Sequence, residues 1–471
     1  MRRIFLLLPA FFLWAACAAV PSTPEAPAPA RLRSGPMRGY AELTEASLWL
    51  QMAGPADVRI RYWPAGHPDR VATSGAAVTK EAAAWIAQFR LPGLQPGTRY
   101  EYEVLAGSGP PLRQPDWSFV TQPFWQYRNA PPPFTVGIGS CFFANDPASD
   151  RPGKPLGRSP EIFERIAQMR PDVMLWLGDN VYYRAPDFGS PAALRERNAR
   201  AREEPRLQKL LAGSSHYAIW DDHDFGPDNA IWTYRYAAAA EDAFKLYWSN
   251  PTYGLPGTRG IFGQFSWADV DFFLLDDRTY RTPEKAVDAP ARRMLGPEQM
   301  RWLKDALLSS DAPFKIVANG SQMLNARAAV DTLLQYPMEY RELIDWIVEN
   351  RIPGVLFLSG DKHHAELIRE TPRGFFTLYD FTSSPLTSAL WLDKGEEENP
   401  QRVPGTLVLD DANFGVLKFS GPCNDRALTM ETWDSKGVLR WTHTVRARDL
   451  LAPGTPQNQD FGHPGCRWLK E

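Results

Sequence analysis

Three of the chain's seven histidines fall in two short acidic motifs, Trp220-Asp221-Asp222-His223-Asp224 and Gly360-Asp361-Lys362-His363-His364. Each motif follows an apolar run. Three carboxylates and an imidazole crowded directly behind a buried strand make a poor structural device. Carboxylates held that closely repel one another unless cations neutralise them. Three more apolar runs end in residues able to do chemistry: 134–141 in Cys141, 173–179 in Asp179, and 315–322 in Gly-Ser-Gln. The chemistry implied is that of a metal cluster, with oxygen donors suited to hard cations and sulfur and imidazole donors suited to transition metals.

The elements that must position these residues read as an α/β core. From Phe134 onward, short continuous apolar runs alternate with helical segments, the pattern of a largely parallel sheet covered on both faces. Ser159-Pro160-Glu161 opens a helix, with Ser159 as cap and Pro160 at the first helical position. A second helix follows Gly296, with Met300, Leu303 and Leu307 on one face. Residues 426–433 and 438–443 flank Asp434-Ser-Lys-Gly437, a hairpin signal. In open α/β sheets the carboxyl ends of the strands line the binding crevice. Parallel neighbours would therefore gather Cys141, Asp179, Tyr182, Asp222, His223 and Asp361 at one edge.

Composition sets the frame. Hydrophobic residues make up 44% of the chain and aromatic ones 12%, enough for packed cores, while the net charge of −3 gives no global basic surface for nucleic acid. Residues 1–17 read as an export signal, with Arg2 and Arg3 ahead of an apolar stretch. Cys17, after Leu13-Trp-Ala-Ala, resembles the lipidated residue of a bacterial lipoprotein, which would anchor the chain in a periplasmic or other cell-envelope membrane. Residues 18–36 read as a Pro/Ala tether. Of the remaining cysteines, Cys423 and Cys466 could pair in an oxidising compartment, leaving Cys141 for metal ligation or simple burial. Residues 37–123 alternate polar and apolar as short strands do, in Val58-Arg-Ile-Arg-Tyr62 and Tyr100-Glu-Tyr-Glu-Val104. With Leu94-Gln-Pro-Gly-Thr-Arg-Tyr100 ahead of a late strand, this segment resembles a fibronectin type III sandwich. Pro131-Pro-Pro133 marks the boundary with a catalytic domain over 134–471.

The motifs, taken in order, resemble those of the alkaline phosphatase D family of binuclear metallophosphoesterases. They are Gly-Ser-Cys141, Gly178-Asp-Asn-Val-Tyr182, Trp220-Asp-Asp-His-Asp-Phe-Gly226, Asp277-Arg-Thr-Tyr-Arg281, Gly320-Ser-Gln322, Leu358-Ser-Gly-Asp-Lys-His-His364 and Thr382-Ser-Ser-Pro-Leu-Thr387. The resemblance implies a two-sheet metallophosphoesterase core preceded by a small all-β sandwich, with Fe3+ and Ca2+ as cofactors. Carried over by position, Cys141, Asp179, Tyr182, Asp222, Asp361 and His363 would be metal ligands, with Asp179 bridging. His223 would be the catalytic acid, kept protonated by its neighbours Asp221 and Asp224. Asn180, Arg278 and His364 would meet substrate, with structural roles as the alternative for Arg278 and His364. After the third motif the chain reads Gly226-Pro-Asp-Asn-Ala230, which departs from the family pattern, so no ligand is assigned to Asp228 or Asn229.

The activity this implies is metal-dependent hydrolysis of small phosphate esters, mono- or diesters, by a metal-bound hydroxide. A nucleophile-elbow serine hydrolase is one rival reading, and the lack of any Gly-x-Ser-x-Gly argues against it. A catalytically inert surface protein that binds through its sandwich is the other alternative.

Overall fold

A computed structural model of the chain describes residues 30–286, 291–454 and 465–466. The export signal, Cys17 and most of the tether lie outside the described residues. Eight strands come first: β1 (Leu32–Ala41), β2 (Glu45–Met52), β3 (Asp57–Pro64), β4 (Ala72–Thr73), β5 (Ala77–Val78), β6 (Ile86–Pro92), β7 (Arg99–Ala106) and β8 (Ser118–Val120). They form two layers, β1-β2-β6 and β4-β3-β7-β8, with β5 on β3. Alternation does this work. In β3, Val58, Ile60 and Tyr62 are buried while Asp57 and Arg59 are exposed, so one face packs on Leu48, Leu50, Phe89 and Leu91 of the other layer. Residues 32–36, expected in the tether, are the first half of β1.

The remaining strands are β9 (Phe134–Gly139), β10 (Val173–Leu177), β11 (Ser215–Ile219), β12 (Gly263–Trp267), β13 (Val270–Leu274), β14 (Phe314–Asn319), β15 (Val355–Ser359), β16 (Glu366–Glu370), β17 (Leu378–Thr382), β18 (Asn413–Ser420), β19 (Ala427–Asp434) and β20 (Leu439–Arg446). The helices are α1 (Glu161–Met169), α2 (Pro191–Arg202), α3 (Gln208–Gly213), α4 (Asp222–Phe225), α5 (Ala237–Tyr247), α6 (Pro297–Ser309) and α7 (Pro337–Glu349). In α6, Met300, Leu303 and Leu307 are buried as their spacing predicts. In α1 the cap falls on Pro160, one residue later than expected, and Ser159 Oγ accepts weakly from the Glu161 N–H at 3.4 Å.

Two sheets face each other. One has the order β20-β19-β18-β9-β10-β11-β1-β2-β6, the other β12-β13-β14-β15-β17-β16. Strands β9, β10 and β11 are parallel, as are β13, β14, β15 and β17. All five residues of β10 are buried, the continuous apolar run that a strand covered on both faces requires. Phe419 of β18 holds the layers together, with its ring 6.2 Å from Phe272 and 5.7 Å from Phe314 across the interface. Truncating such a buried ring costs about 3–5 kcal/mol.

The sandwich and the core share a sheet. Strand β1 lies parallel beside β11, with Arg38 opposite Ser215, and Met37 and Trp49 are buried in the main core rather than in that of the sandwich. Alternation along β1 shows that it is a strand. It carries no information on which edge the strand extends.

Candidate metal centre

The chemistry-bearing residues leave the carboxyl ends of strands from both sheets, not from one as strand adjacency alone would suggest. Cys141 follows β9, Asp179 follows β10, and Asp221 and Asp222 follow β11. From the facing sheet, Gly320-Ser321 follows β14 and Asp361 and His363 follow β15. The two edges touch at glycine. A Cβ built on Gly360, after β15, would collide with the Leu177 carbonyl oxygen at the end of β10; within the first sheet, one on Gly178 would lie 2.8 Å from Asp221 Cβ. Gly178 also has φ +91°, the left-handed region that glycine tolerates.

Four of the predicted ligands share an uncommon backbone state. Cys141 (φ 60°), Asp179 (52°), Asp361 (61°) and His363 (56°) are all left-handed. Non-glycine residues persist there only when the surroundings over-determine them, which is common at functional sites.

The cluster itself is tight. Tyr182 Oη donates to Asp179 Oδ2 at 2.9 Å and lies 3.1 Å from His363 Nε2. Cys141 Sγ lies 3.6 Å from Asp179 Oδ2. Donor atoms of Cys141, Asp179 and His363 lie within 4.8 Å of one another, as do those of Asp179, Asp222 and His223, and those of Asp221, Asp222 and Asp361. The three groups overlap through Asp179 and Asp222, the arrangement that adjacent cations with bridging ligands need. Sulfur, phenol and imidazole collect on one side and carboxylates on the other, which suits a transition metal beside a hard cation. Asp221 Oδ2, fully buried, has no hydrogen-bond partner.

Electrostatics agree with the geometry. Burial, then the carboxylates of Asp222, Asp224 and Asp361, hold the Asp179 carboxyl far above the usual range. Burial raises Asp361 in the same way. The Cys141 thiol and Tyr182 phenol are pushed well up by burial and by Asp179. Burial, with His223 nearby, lowers His363 to about 4, which keeps its imidazole neutral. Asp222 is the exception. Burial acts to raise it, but His223, Arg278 and the Asn229 N–H together bring it down to about 2.

His223 packs against Tyr182, ring centroids 4.2 Å apart and planes tilted by 33°, and its backbone N–H donates to Asp179 Oδ1. Its Nε2 faces Asp228 at 3.8 Å. The neighbours expected to face it do not. Asp221 is ion-paired with Arg278, and Asp224 accepts from the N–H groups of Asn180 and Asp221. A capping box ties both carboxylates to the backbone of the turn, away from His223, while Asp221 stays within the group it forms with Asp222 and Asp361.

The three expected substrate contacts divide. Asn180 stands beside the cluster with Nδ2 donating to the Ile219 carbonyl and Oδ1 without a partner. Arg278 is 1% exposed and is surrounded by Asp221, Asp222, Asp277 and Asp331, so it anchors carboxylates behind the cluster and does not face the cleft. His364 is fully buried against Glu366, away from any opening. His363 Nε2 faces Tyr182 while His364 faces the Trp391 carbonyl and Glu366, so only His363 joins the cluster.

Two participants carried no assigned role in the sequence. Ser384 Oγ donates to Cys141 Sγ at 3.1 Å and accepts from the His363 N–H at 2.9 Å; the Thr382–Thr387 motif was the available signal. Asp331 accepts from Arg281 at 2.7 Å, and no motif marks it. Beside Tyr182 a cavity of about 170 Å³ opens, lined by Arg184, Arg197 and Arg200. No helix among the described residues is long and apolar enough to cross a membrane. Cys423 and Cys466 are disulfide-bonded, and Cys141 is free and buried.

The fold has counterparts among known proteins. A solved structure of PhoD superposes with a TM-score of 0.69 at 18% identity, covering 87% of this chain and 91% of that one. A purple acid phosphatase, PPD1 from yellow lupin (Lupinus luteus) seeds, superposes with a TM-score of 0.66 at 12% identity, covering 90% and 78%. Alkaline phosphatase D of Bacillus subtilis (strain 168) is 21% identical over 248 residues, 43% of this chain and 42% of that protein. The chain thus matches less than half the length of that curated relative. Residues 29–123 match a domain of unknown function, DUF7800. Residues 157–421, more than half of the chain and the stretch holding every motif from Asp179 to His364, match the PhoD-like phosphatase model, and the chain belongs to that family.

Proposed function

We propose that the chain is a metal-dependent phosphoric ester hydrolase acting on small phosphomonoesters, phosphodiesters or both. One observation carries this reading: side chains from two sheets converge, the donor atoms of Cys141, Asp179 and His363, of Asp179, Asp222 and His223, and of Asp221, Asp222 and Asp361 forming overlapping groups, with Tyr182 Oη in reach of Asp179 and His363. Cys141, Tyr182 and His363 would hold Fe3+, Asp222 and Asp361 would hold Ca2+, and Asp179 would bridge them. Those cations supply neutralisation of phosphoryl oxygens and a lowered pKa for water. The chain's own residues do the rest. Tyr182 and Asp179 orient one another, and Arg278 holds Asp221 and supports Asp222. His223, half-buried and packed against Tyr182, presents Nε2 to give a proton to the leaving alkoxide.

The test is hydrolysis of an aryl phosphate monoester and the matching bis-aryl diester by enzyme supplied with iron and calcium, beside Asp222→Ala. Turnover lost in the variant supports the reading, and the ratio of the two rates selects monoesterase or diesterase. Turnover unchanged in the variant, or none with metals bound, would overturn it. Export, with or without a lipid on Cys17, is part of the same proposal. The Cys423–Cys466 disulfide supports it, because disulfides persist in oxidising compartments. Mass spectrometry of the mature N-terminus tests it.

A further inference from the structure

The loop 360–364 alternates. Asp361 and His363, both left-handed, take part in the metal centre, while Lys362 and His364 turn the other way and are 5% and 0% exposed. Burying a lysine and a histidine beside a metal centre is costly unless each is paired. Both are paired by one segment, residues 391–399. Lys362 Nζ donates to Asp393 Oδ2 at 2.7 Å and lies 3.4 Å from Glu396 Oε1. His364 Nδ1 faces the Trp391 carbonyl at 3.2 Å; an oxygen that only accepts places the proton on Nδ1. His364 Nε2 then faces Glu366 Oε1 at 3.3 Å and Glu396 Oε2 at 3.9 Å. The Trp391 N–H closes the circuit on the His363 carbonyl at 3.2 Å.

Glu396 is the centre of this contact. Its side chain is fully buried, and neither carboxylate oxygen has a hydrogen-bond partner. The Lys362 ammonium, 3.4 Å away, is the cation that faces it. Donor atoms of His364, Glu366 and Glu396 lie close enough for a cation. However, Lys362 already faces Glu396, and Arg402 Nε donates to Glu366 at 2.6 Å. Two positive charges therefore stand where a cation would bring its own, and the trio reads as an ion-paired clamp.

We propose that Lys362, His364 and Glu396 are positioning residues that lock segment 391–399 onto the ligand loop and so hold Asp361 and His363 in the left-handed backbone that aims them at the metals. The proposal rests on Asp361 and His363 being ligands. It predicts a kinetic property of the metal centre, since a loop released from the clamp relaxes toward ordinary φ values and lets go of its cation.

The experiment follows metal loss from the purified holoenzyme under excess EDTA, by elemental analysis after desalting. Lys362→Met and Glu396→Gln should lose metal about tenfold faster or more, the usual scale for residues that orient ligands, and Lys362→Arg should restore part of the retention. Glu339→Gln is the structural control. Glu339 is a buried carboxylate of α7 that accepts from the N–H groups of Met294, Leu295 and Gly296, not from the ligand loop. It should lower the melting temperature and leave metal loss unchanged. Wild-type rates in both clamp variants, or equal acceleration by Glu339→Gln, would overturn the clamp. Full metal retention by Asp361→Ala would instead overturn the ligand assignment beneath it.

Discussion

The Tyr182 phenol oxygen lies 3.1 Å from Nε2 of His363, a residue 181 positions further along the chain, and the two come from facing sheets. That contact is where the two halves of the centre meet. Burial and Asp179 hold the Tyr182 phenol far above its ordinary range. On the proposed ligand assignment metal binding expels that proton, so affinity should climb as pH rises. Tyr182→Phe should abolish the visible absorption of a phenolate–iron pair and lower activity by at least ~10-fold. An unchanged absorption spectrum in the loaded variant would remove Tyr182 from the ligand set.

His223→Ala separates a proton donor from a phosphate contact. A donor matters most when the leaving group is a poor one. Alkyl phosphates should slow by about 10²–10⁴ and activated aryl esters far less. Equal losses on both, measured as kcat/KM, would leave His223 with no role as an acid.

Arg278 is buried among four carboxylates, so its removal should act on stability before it acts on substrate. Arg278→Met leaves Asp221 buried and unpaired and should cost about 3–5 kcal/mol. Chemical denaturation would read that loss. A variant of wild-type stability with only KM raised would return Arg278 to the cleft.

Gly360 separates the sheets by the width of a missing methyl. In Gly360→Ala the added carbon meets the Leu177 backbone carbonyl, which cannot rotate aside. The edges must part, at about 1–3 kcal/mol. Asp179 and Asp361 part with them, so metal content should fall together with the melting temperature.

Lys315, in β14, gives a pH signature remote from the metals. Burial lowers its ammonium to about 8, against the attraction of Asp271 and Asp311. Between about pH 8 and 10.5 the unfolded chain binds the proton more tightly than the folded one, so stability rises with pH across that window. Below it, the folded protein carries the cost of a buried charge. Lys315→Met should therefore be more stable than wild type at pH 7, by about 1–3 kcal/mol, with the advantage shrinking as the pH passes 8. Parallel melting curves from pH 6 to about 10 check this. A constant difference would show that the ammonium is not the source.

Much of this protein is written locally. Continuous apolar runs ending in Cys141, Asp179, Asp222 and Asp361 set both the parallel strands and the edge where donors collect, because burial on two faces and chain direction follow from sequence alone. The period-two pattern of β3 and β7 likewise places their apolar faces. What the tertiary structure decided was direction and partnership. Asp221, Asp222 and Asp224 are equivalent by composition. Only the capping turn and Arg278, 57 positions away from Asp221, determine that Asp222 groups with Asp179 and His223, that Asp221 pairs with Arg278 at the edge of the same cluster, and that Asp224 turns back onto the Asn180 and Asp221 N–H groups. His363 and His364 read alike until the segment around Glu396 draws one of them away from the metals. Strand β1 joins β11 rather than ending a separate domain, since backbone N–H and C=O groups at a sheet edge are the same for every sequence. Side-chain chemistry is a property of each residue; which way it faces depends on groups that the fold brings from far along the chain.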